Sequence, residues 1–198
     1  MAARRCLLVA LLLPAALSTV STVASAAGLS EKEVKQLINR CAPKVAEDTL
    51  LAVVRTESSM NPYAIGVVGK TIKQPTNFIS AMSAIAELET EGANYSVGLA
   101  QINKKNFERL GITAKSALDA CTNLAAASVI LSECYERAAN EQDRLKKALS
   151  CYYSGNFLTG FEHGYVNRVE KNAKTEVPSL ANDSFISHAK EQTKKQLF

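Results

Sequence analysis

Between Glu47 and Ser58 the apolar residues Leu50, Val53 and Val54 recur at the spacing of one helix face, and Glu57 falls on the same stripe. Burying an ionised carboxylate is costly, so a glutamate on an apolar face is either paired or carries a raised pKa. A glutamic acid that keeps its proton near neutral pH has what is needed to protonate a leaving oxygen, which makes Glu57 a candidate general acid. Position alone also fits a structural glutamate paired with Arg or with backbone amides. The neighbouring residues must decide between the two.

The elements that position Glu57 read as a series of helices. Leu29 to Arg40 forms a short amphipathic helix in which Ser30 and Glu33 make a capping box. The Glu47–Ser58 helix follows, and Asn61-Pro62 stops it. A loop over Gly66–Gln74 leads to a helix over Pro75–Glu91, with Phe78, Met82, Ile85 and Leu88 on one face and Gly92 at its end. Asn94–Asn103 is short, Gly-containing and partly β-like, and Lys104–Leu110 is a helical turn closed by Gly111. A long helix over Cys121–Ala139, apolar on nearly all sides, is expected to be central, with Asp119 and Asn123 as caps at its start. Asn140 is expected to cap a helix over Glu141–Tyr153. The acidic trio Glu87, Glu89 and Glu91 reads as a solvated face, and His163 and His188 have no constellation around them.

The chain has 198 residues, 47% hydrophobic and 21% charged, enough for one domain with a substantial core. Its formal charge of +4 is small and dispersed, so a nucleic-acid partner is not expected. Arg4 and Arg5, the apolar run Leu7–Leu17 and Ala24-Ser25-Ala26 have the form of a secretory signal cleaved after Ala26. The apolar run is shorter than the roughly 20 residues that cross a bilayer. This divides the chain into a signal over 1–26, a domain over 27–172 and a weakly structured tail over 173–198.

Cleavage would remove Cys6 and leave Cys41, Cys121, Cys134 and Cys151, an even number that suggests two disulfides, free buried thiols being the alternative. There is no Cys-x-x-Cys and no Cys/His cluster, so neither zinc nor any other metal or cofactor is expected. Cys121 and Cys134 lie 13 residues apart on one expected helix, about 20 Å at 1.5 Å per residue, beyond disulfide reach. Two connectivities remain. In a helical hairpin turning near Asn140, Cys134 is nearer Cys151 in height than Cys121 is, which favours Cys134 with Cys151 and Cys41 with Cys121.

Four short strings then bear on Glu57. They are R-T-E-S-S-M-N-P-Y-A-I-G from Arg55, G-L-A-Q-I-N from Gly98, A-L-S-C-Y-Y-S-G from Ala148 and Y-V-N-R-V from Tyr165. In this order they resemble the lytic transglycosylases of the goose-type lysozyme superfamily, with E-S-x-x-N-P-x-A, G-L-M-Q-I, Y-N-A-G and Y-V-x-x-V. The resemblance covers about Ala42 to Lys171. The long stretch between Pro62 and Gly98, the sequence G-L-A-Q-I-N and the cysteines look most like the small members that accompany type IV secretion and conjugation machines. Tyr153 stands where Asn is common, and Ala100 where Met is common.

The resemblance implies a mainly α, lysozyme-like fold with at most a small β element near Asn94–Asn103. It also implies cleavage of the β-1,4 bond between N-acetylmuramic acid and N-acetylglucosamine in periplasmic peptidoglycan, in the service of a secretion or conjugation apparatus. Glu57 becomes the catalytic acid and base, Ser58 and Asn61 hold the turn after it, Gln101 and Asn103 line the sugar groove, and Tyr152 projects toward the reacting saccharide. For Gln101 and Asn103, loop-stabilising bonds are the bland alternative, and for Tyr152 a place in the core. The rival functions are a goose-type lysozyme that uses water as nucleophile and a non-catalytic peptidoglycan-binding assembly module.

Overall fold

A computed structural model describes residues 28–173. The expected signal over 1–26, with Cys6, and the expected tail, with His188, lie outside the described residues, except that Ala173 closes the last helix. Helices α1 (Glu31–Cys41) and α2 (Glu47–Ser58) come first, α1 opening on the Ser30/Glu33 capping box. Strand β1 (Ile65–Val67), helix α3 (Phe78–Thr90) and strands β2 (Tyr95–Val97) and β3 (Ile102–Asn103) follow. A 3-10 turn over Lys104–Asn106 and the short helices α4 (Phe107–Leu110) and α5 (Ala114–Ala117) lead to α6 (Ala120–Arg137), α7 (Arg144–Ser154), α8 (Thr159–Glu162) and α9 (Tyr165–Ala173).

The central helix is α2, not the long α6. Leu50 to Val54 are each at most 2% exposed, so α2 is enclosed all round through its middle turns, and α1 and α9 pack against it. Helix α6 buries Leu124, Ala127, Leu131 and Cys134 but leaves Val129 exposed and pairs Glu133 with Arg109 at the surface, which makes one of its faces solvent-facing. A second, smaller core lies between α3 and the sheet, built from Ile65, Ala81, Ile85, Leu88, Tyr95, Val97 and Leu118.

The sheet is antiparallel in the order β1-β2-β3, with Ile65 opposite Val97 and Ser96 opposite Asn103. The β2–β3 part falls where the sequence suggests it. Strand β1 does not, because three residues beside Gly66 carry no periodicity of their own and acquire a strand only by pairing with Tyr95–Val97. Helix α3 begins at Phe78 and not Pro75, since Asn77 accepts the Ser80 amide and fixes the start there. Helix α7 begins at Arg144, after Asp143 in a left-handed conformation, so Asn140 belongs to the hairpin turn and caps nothing.

The turn after α2 is set by backbone conformation. Ser59 and Met60 both have positive φ, 50° and 67°, which ends the helix before Asn61-Pro62. Asn61 then accepts the Tyr63 amide at 2.9 Å and donates to the Pro75 carbonyl at 3.2 Å. Two disulfides tie the frame. Cys41–Cys121 joins the end of α1 to the start of α6, and Cys134–Cys151 joins α6 to α7 across the hairpin, the pairing that relative height favours.

Asp119 caps α6 as expected, accepting the Thr122 amide, but Asn123 is a buried pin and not a cap. Its amide donates to the carbonyls of Val97 and Ala117 at 2.9 and 2.7 Å, and its Oδ1 accepts the Ala100 amide at 2.8 Å. Gly98 makes room for it: φ is +82° there, and a Cβ would come within 2.2 Å of the Asn123 amide nitrogen. Asn123→Ala should therefore lower stability by about 2–4 kcal/mol, the cost of buried polar groups left unpaired. Urea unfolding at neutral pH measures it, and a change below about 0.5 kcal/mol, the usual range for an inconsequential surface substitution, would contradict the pin.

Candidate active site

Glu57 sits in the last turn of α2, where the apolar stripe of Leu50, Val53 and Val54 reaches the end of the helix. It is half-buried, and the described contacts of its carboxyl come from α7 and α9. The Tyr165 hydroxyl, from the first turn of α9, donates to Glu57 Oε1 at 2.7 Å. Arg168, one turn further along α9, contributes positive charge, and Tyr152 on α7 lies close enough for its ionisation to be opposed by Glu57.

Removal from water is the largest influence on Glu57 and pushes its carboxyl from the ordinary 4.5 up to about 7, against the Tyr165 bond and the Arg168 charge, which both lower it. The same burial, reinforced by the Glu57 charge, holds both Tyr152 and Tyr165 well above the ordinary phenol range. Around neutral pH the site therefore contains a carboxyl divided between its two protonation states, beside two neutral phenols. Such a group can deliver a proton and take one back.

The loop over Gly98–Gln101 forms a second wall. The Tyr152 hydroxyl donates to the Ala100 carbonyl at 2.7 Å, and the Ala100 amide is held by Asn123. Gln101 has φ +50°, and its side-chain amide donates to the carbonyls of Ala64 and Gly98, both at 3.0 Å. Its donors thus fasten the loop to the chain entering β1. Gly66 lets it lie close, since a Cβ there would meet Gln101 Oε1 at 2.6 Å.

The structure brings Tyr152 to Glu57 and gives the other expected residues local partners. Ser58 donates back to the Val54 carbonyl within α2, and Asn61 stitches the following turn. Asn103 accepts the Lys105 amide at the 3-10 turn and donates to Ser96 Oγ. Tyr165, Arg168, Tyr153 and His163 received no role from the sequence. The available signal for Tyr165 was its place at the head of an amphipathic helix, where a buried phenol needs a partner for its hydroxyl. A separate open pocket of about 620 Å³, lined by Leu29, Pro62, Tyr63, Phe78 and Leu118 among others, does not include Glu57 in its walls. Among the described residues no three His, Cys, Asp or Glu side chains cluster as metal ligands, and no helix is long and apolar enough to cross a membrane.

Comparison with known proteins gives a match to the family described as "Transglycosylase SLT domain" over residues 37–175. The chain is 42% identical over 156 residues to the type IV secretion system protein virB1 of Brucella suis biovar 1 (strain 1330), covering 73% of this chain and 66% of that protein. It is 46% identical over 132 residues to the protein of the same name from Brucella abortus biovar 1 (strain 9-941), covering 64% and 56%. Protein virB1 of Rhizobium radiobacter is 36% identical over 171 residues, 84% of this chain and 71% of the relative. The match thus spans less than two thirds of the length of the Brucella relatives. No solved structure matches.

The raised carboxyl has a stability signature. With a folded value of about 7 against an ordinary 4.5, folding takes up a proton between those pH values. The favourable contribution of protonated Glu57 is present below the unfolded value and is lost as pH rises through 7. Glu57→Gln, which cannot ionise, should gain stability relative to the wild type across this window, by roughly 3 kcal/mol in all. Denaturant unfolding of both proteins at pH 4 and pH 8 tests this, and a difference that does not change with pH would contradict the burial of the carboxyl.

Proposed function

The chain belongs to the Transglycosylase SLT domain family, and from that premise we propose that it is a peptidoglycan lytic transglycosylase in which Glu57 acts as both acid and base. The observation that carries this reading is the half-buried Glu57 carboxyl, bonded by Tyr165 and raised to about 7. In the reaction, Glu57 gives its proton to the glycosidic oxygen between N-acetylmuramic acid and N-acetylglucosamine as the C1–O bond breaks. The muramoyl 6-hydroxyl oxygen then bonds to C1, and its proton returns to the Glu57 carboxylate. No water is consumed, and the product is a 1,6-anhydromuramoyl end.

Intramolecular attack is supported by the disposition of the other acids. Ordinary glycosidases place a second carboxylate about 5–10 Å from the acid to act as nucleophile or to activate water. Glu89 accepts from the Tyr95 hydroxyl and pairs with Lys104, Glu91 pairs with Lys70, Asp119 caps α6, and Glu87 is exposed on α3. A 6-hydroxyl that arrives with the substrate would take the role of such a partner without the entropy of fixing a separate water.

The names of the Brucella relatives place those proteins in type IV secretion systems. That supports a role for this chain in opening the wall locally for such an apparatus, in the periplasm after export by the amino-terminal signal. Peptidoglycan strands are then the substrate and components of the apparatus the partners. Zymography should show clearing by the wild type and none by Glu57→Gln, with identical circular dichroism for the two. Mass spectrometry of the digest should show muropeptides lighter by one water than hydrolytic products. Predominantly reducing-end products would assign the site to a lysozyme, and clearing retained by Glu57→Gln would remove Glu57 from its role.

A further inference from the structure

Tyr153 stands next to Tyr152 on α7. Its ring stacks on that of Tyr165, with centroids 4.6 Å apart and planes 18° apart. Its hydroxyl is 3.2 Å from His163 Nδ1, and the two rings meet edge-on at 5.9 Å. Arg168, which donates to the His163 carbonyl at 2.8 Å, holds its guanidinium 5.9 Å from the Tyr165 ring. Tyr165 is 2% exposed, whereas Tyr153 is 41% exposed and covers it from the solvent side.

We propose that Tyr153, anchored by His163, is a positioning residue that holds the Tyr165 hydroxyl on Glu57. Tyr165 is a long side chain at the first turn of a helix, and its hydroxyl must stay within hydrogen-bond reach of a half-buried carboxyl. Rotation about its side-chain bonds would swing that hydroxyl away. A parallel ring 4.6 Å off one face blocks such a swing on that side, and offset or stacked aromatic pairs carry attraction beyond simple burial. The bond to His163 in turn holds the hydroxyl end of Tyr153, which would otherwise be free to swing away at the exposed end of α7. An asparagine at this position has no ring to stack, so the Tyr at 153 changes how the neighbouring phenol is held.

This inference rests on the reading of Glu57 as the acid and base, so its test uses a readout that does not depend on activity. The groups facing the Glu57 carboxyl are Tyr165 and Arg168 from α9 and Tyr152 from α7, and the variants leave Arg168 and Tyr152 in place. Glu57 is followed by NMR of its carboxyl carbon in the wild type, Tyr153→Ala, Tyr153→Phe, Tyr165→Phe and the Tyr153→Ala/Tyr165→Phe double variant. Tyr165→Phe removes a bond that favours the ionised form, so its titration should move upward. Tyr153→Ala should move it the same way, Tyr153→Phe should move it less because it keeps the stack and loses only the bond to His163, and the double variant should match Tyr165→Phe alone.

On peptidoglycan, Tyr153→Ala should lower kcat about tenfold with little change in KM. A downward shift in Tyr153→Ala would mean that the ring only keeps water out, and additive shifts in the double variant would mean that it acts independently of Tyr165. A raised KM at unchanged kcat would make it a substrate platform. Each of these overturns the proposal. If the wild type were inactive but the titrations behaved as expected, the function assigned to Glu57 would fall and the brace would stand.

Discussion

A single carboxyl group taken out of water is the constraint around which this molecule is arranged. Helix α2 is enclosed on all sides through its middle turns, so a glutamate on its apolar stripe emerges into an environment that opposes charge. Two influences work the other way, the Tyr165 hydroxyl at 2.7 Å and the Arg168 cation. A hydrogen bond to a charged group is typically worth about 1.5–3 kcal/mol. Desolvation exceeds the two together, and the carboxyl ends near 7 and not near 4.5. The balance is narrow by design of the chemistry, because a fully compensated carboxylate would have no proton to give.

Holding that balance requires the walls to stay where they are, and the wall formed by Gly98–Gln101 is held from underneath. Asn123 bonds both strands of approach to the loop, Val97 and Ala100, and ties them to Ala117. Tyr152 then reaches the Ala100 carbonyl from above. The phenol beside Glu57 is thus connected through the single residue Ala100 to a fully buried side chain on α6. Gln101 anchors the other end to Ala64, just before β1. The disulfide between Cys134 and Cys151 fixes α7, which carries Tyr152 and Tyr153, against the helix that carries Asn123.

Local rules sufficed wherever partners are close in sequence. The Ser30/Glu33 box, the Asp119 cap and the stripe leading to Glu57 are all decided within one or two turns, and the sequence shows them directly. The disulfide pairing was accessible for a related reason, since it follows from the hairpin height of two helices. Asn123 was misread because an asparagine in the first turn of a helix has the signature of a cap, and its true partners lie up to 26 residues away. Tyr165 is 108 residues from Glu57, and no spacing rule connects them; the Y-V-N-R-V string marked the segment without saying which atom of it matters. Strand β1 is a tertiary decision of the same sort, made by pairing, whereas the late start of α7 follows from the left-handed backbone of Asp143, which spacing does not reveal.

The proposed reaction sets a condition on Glu57 that a two-carboxylate glycosidase escapes. With two acids, one can be tuned high to donate and the other low to attack or accept, and their environments diverge. Here the same carboxyl must donate to the leaving oxygen in the first half and accept from the 6-hydroxyl in the second. A value far above the working pH would favour donation and make the carboxylate rare in the resting enzyme, and a value far below would reverse the fault. A carboxyl raised to about 7 keeps both forms populated near neutrality. The neutral phenols around it then have a consistent purpose. Tyr152 and Tyr165, both held well above the ordinary phenol range by burial, do not compete for the proton that Glu57 exchanges.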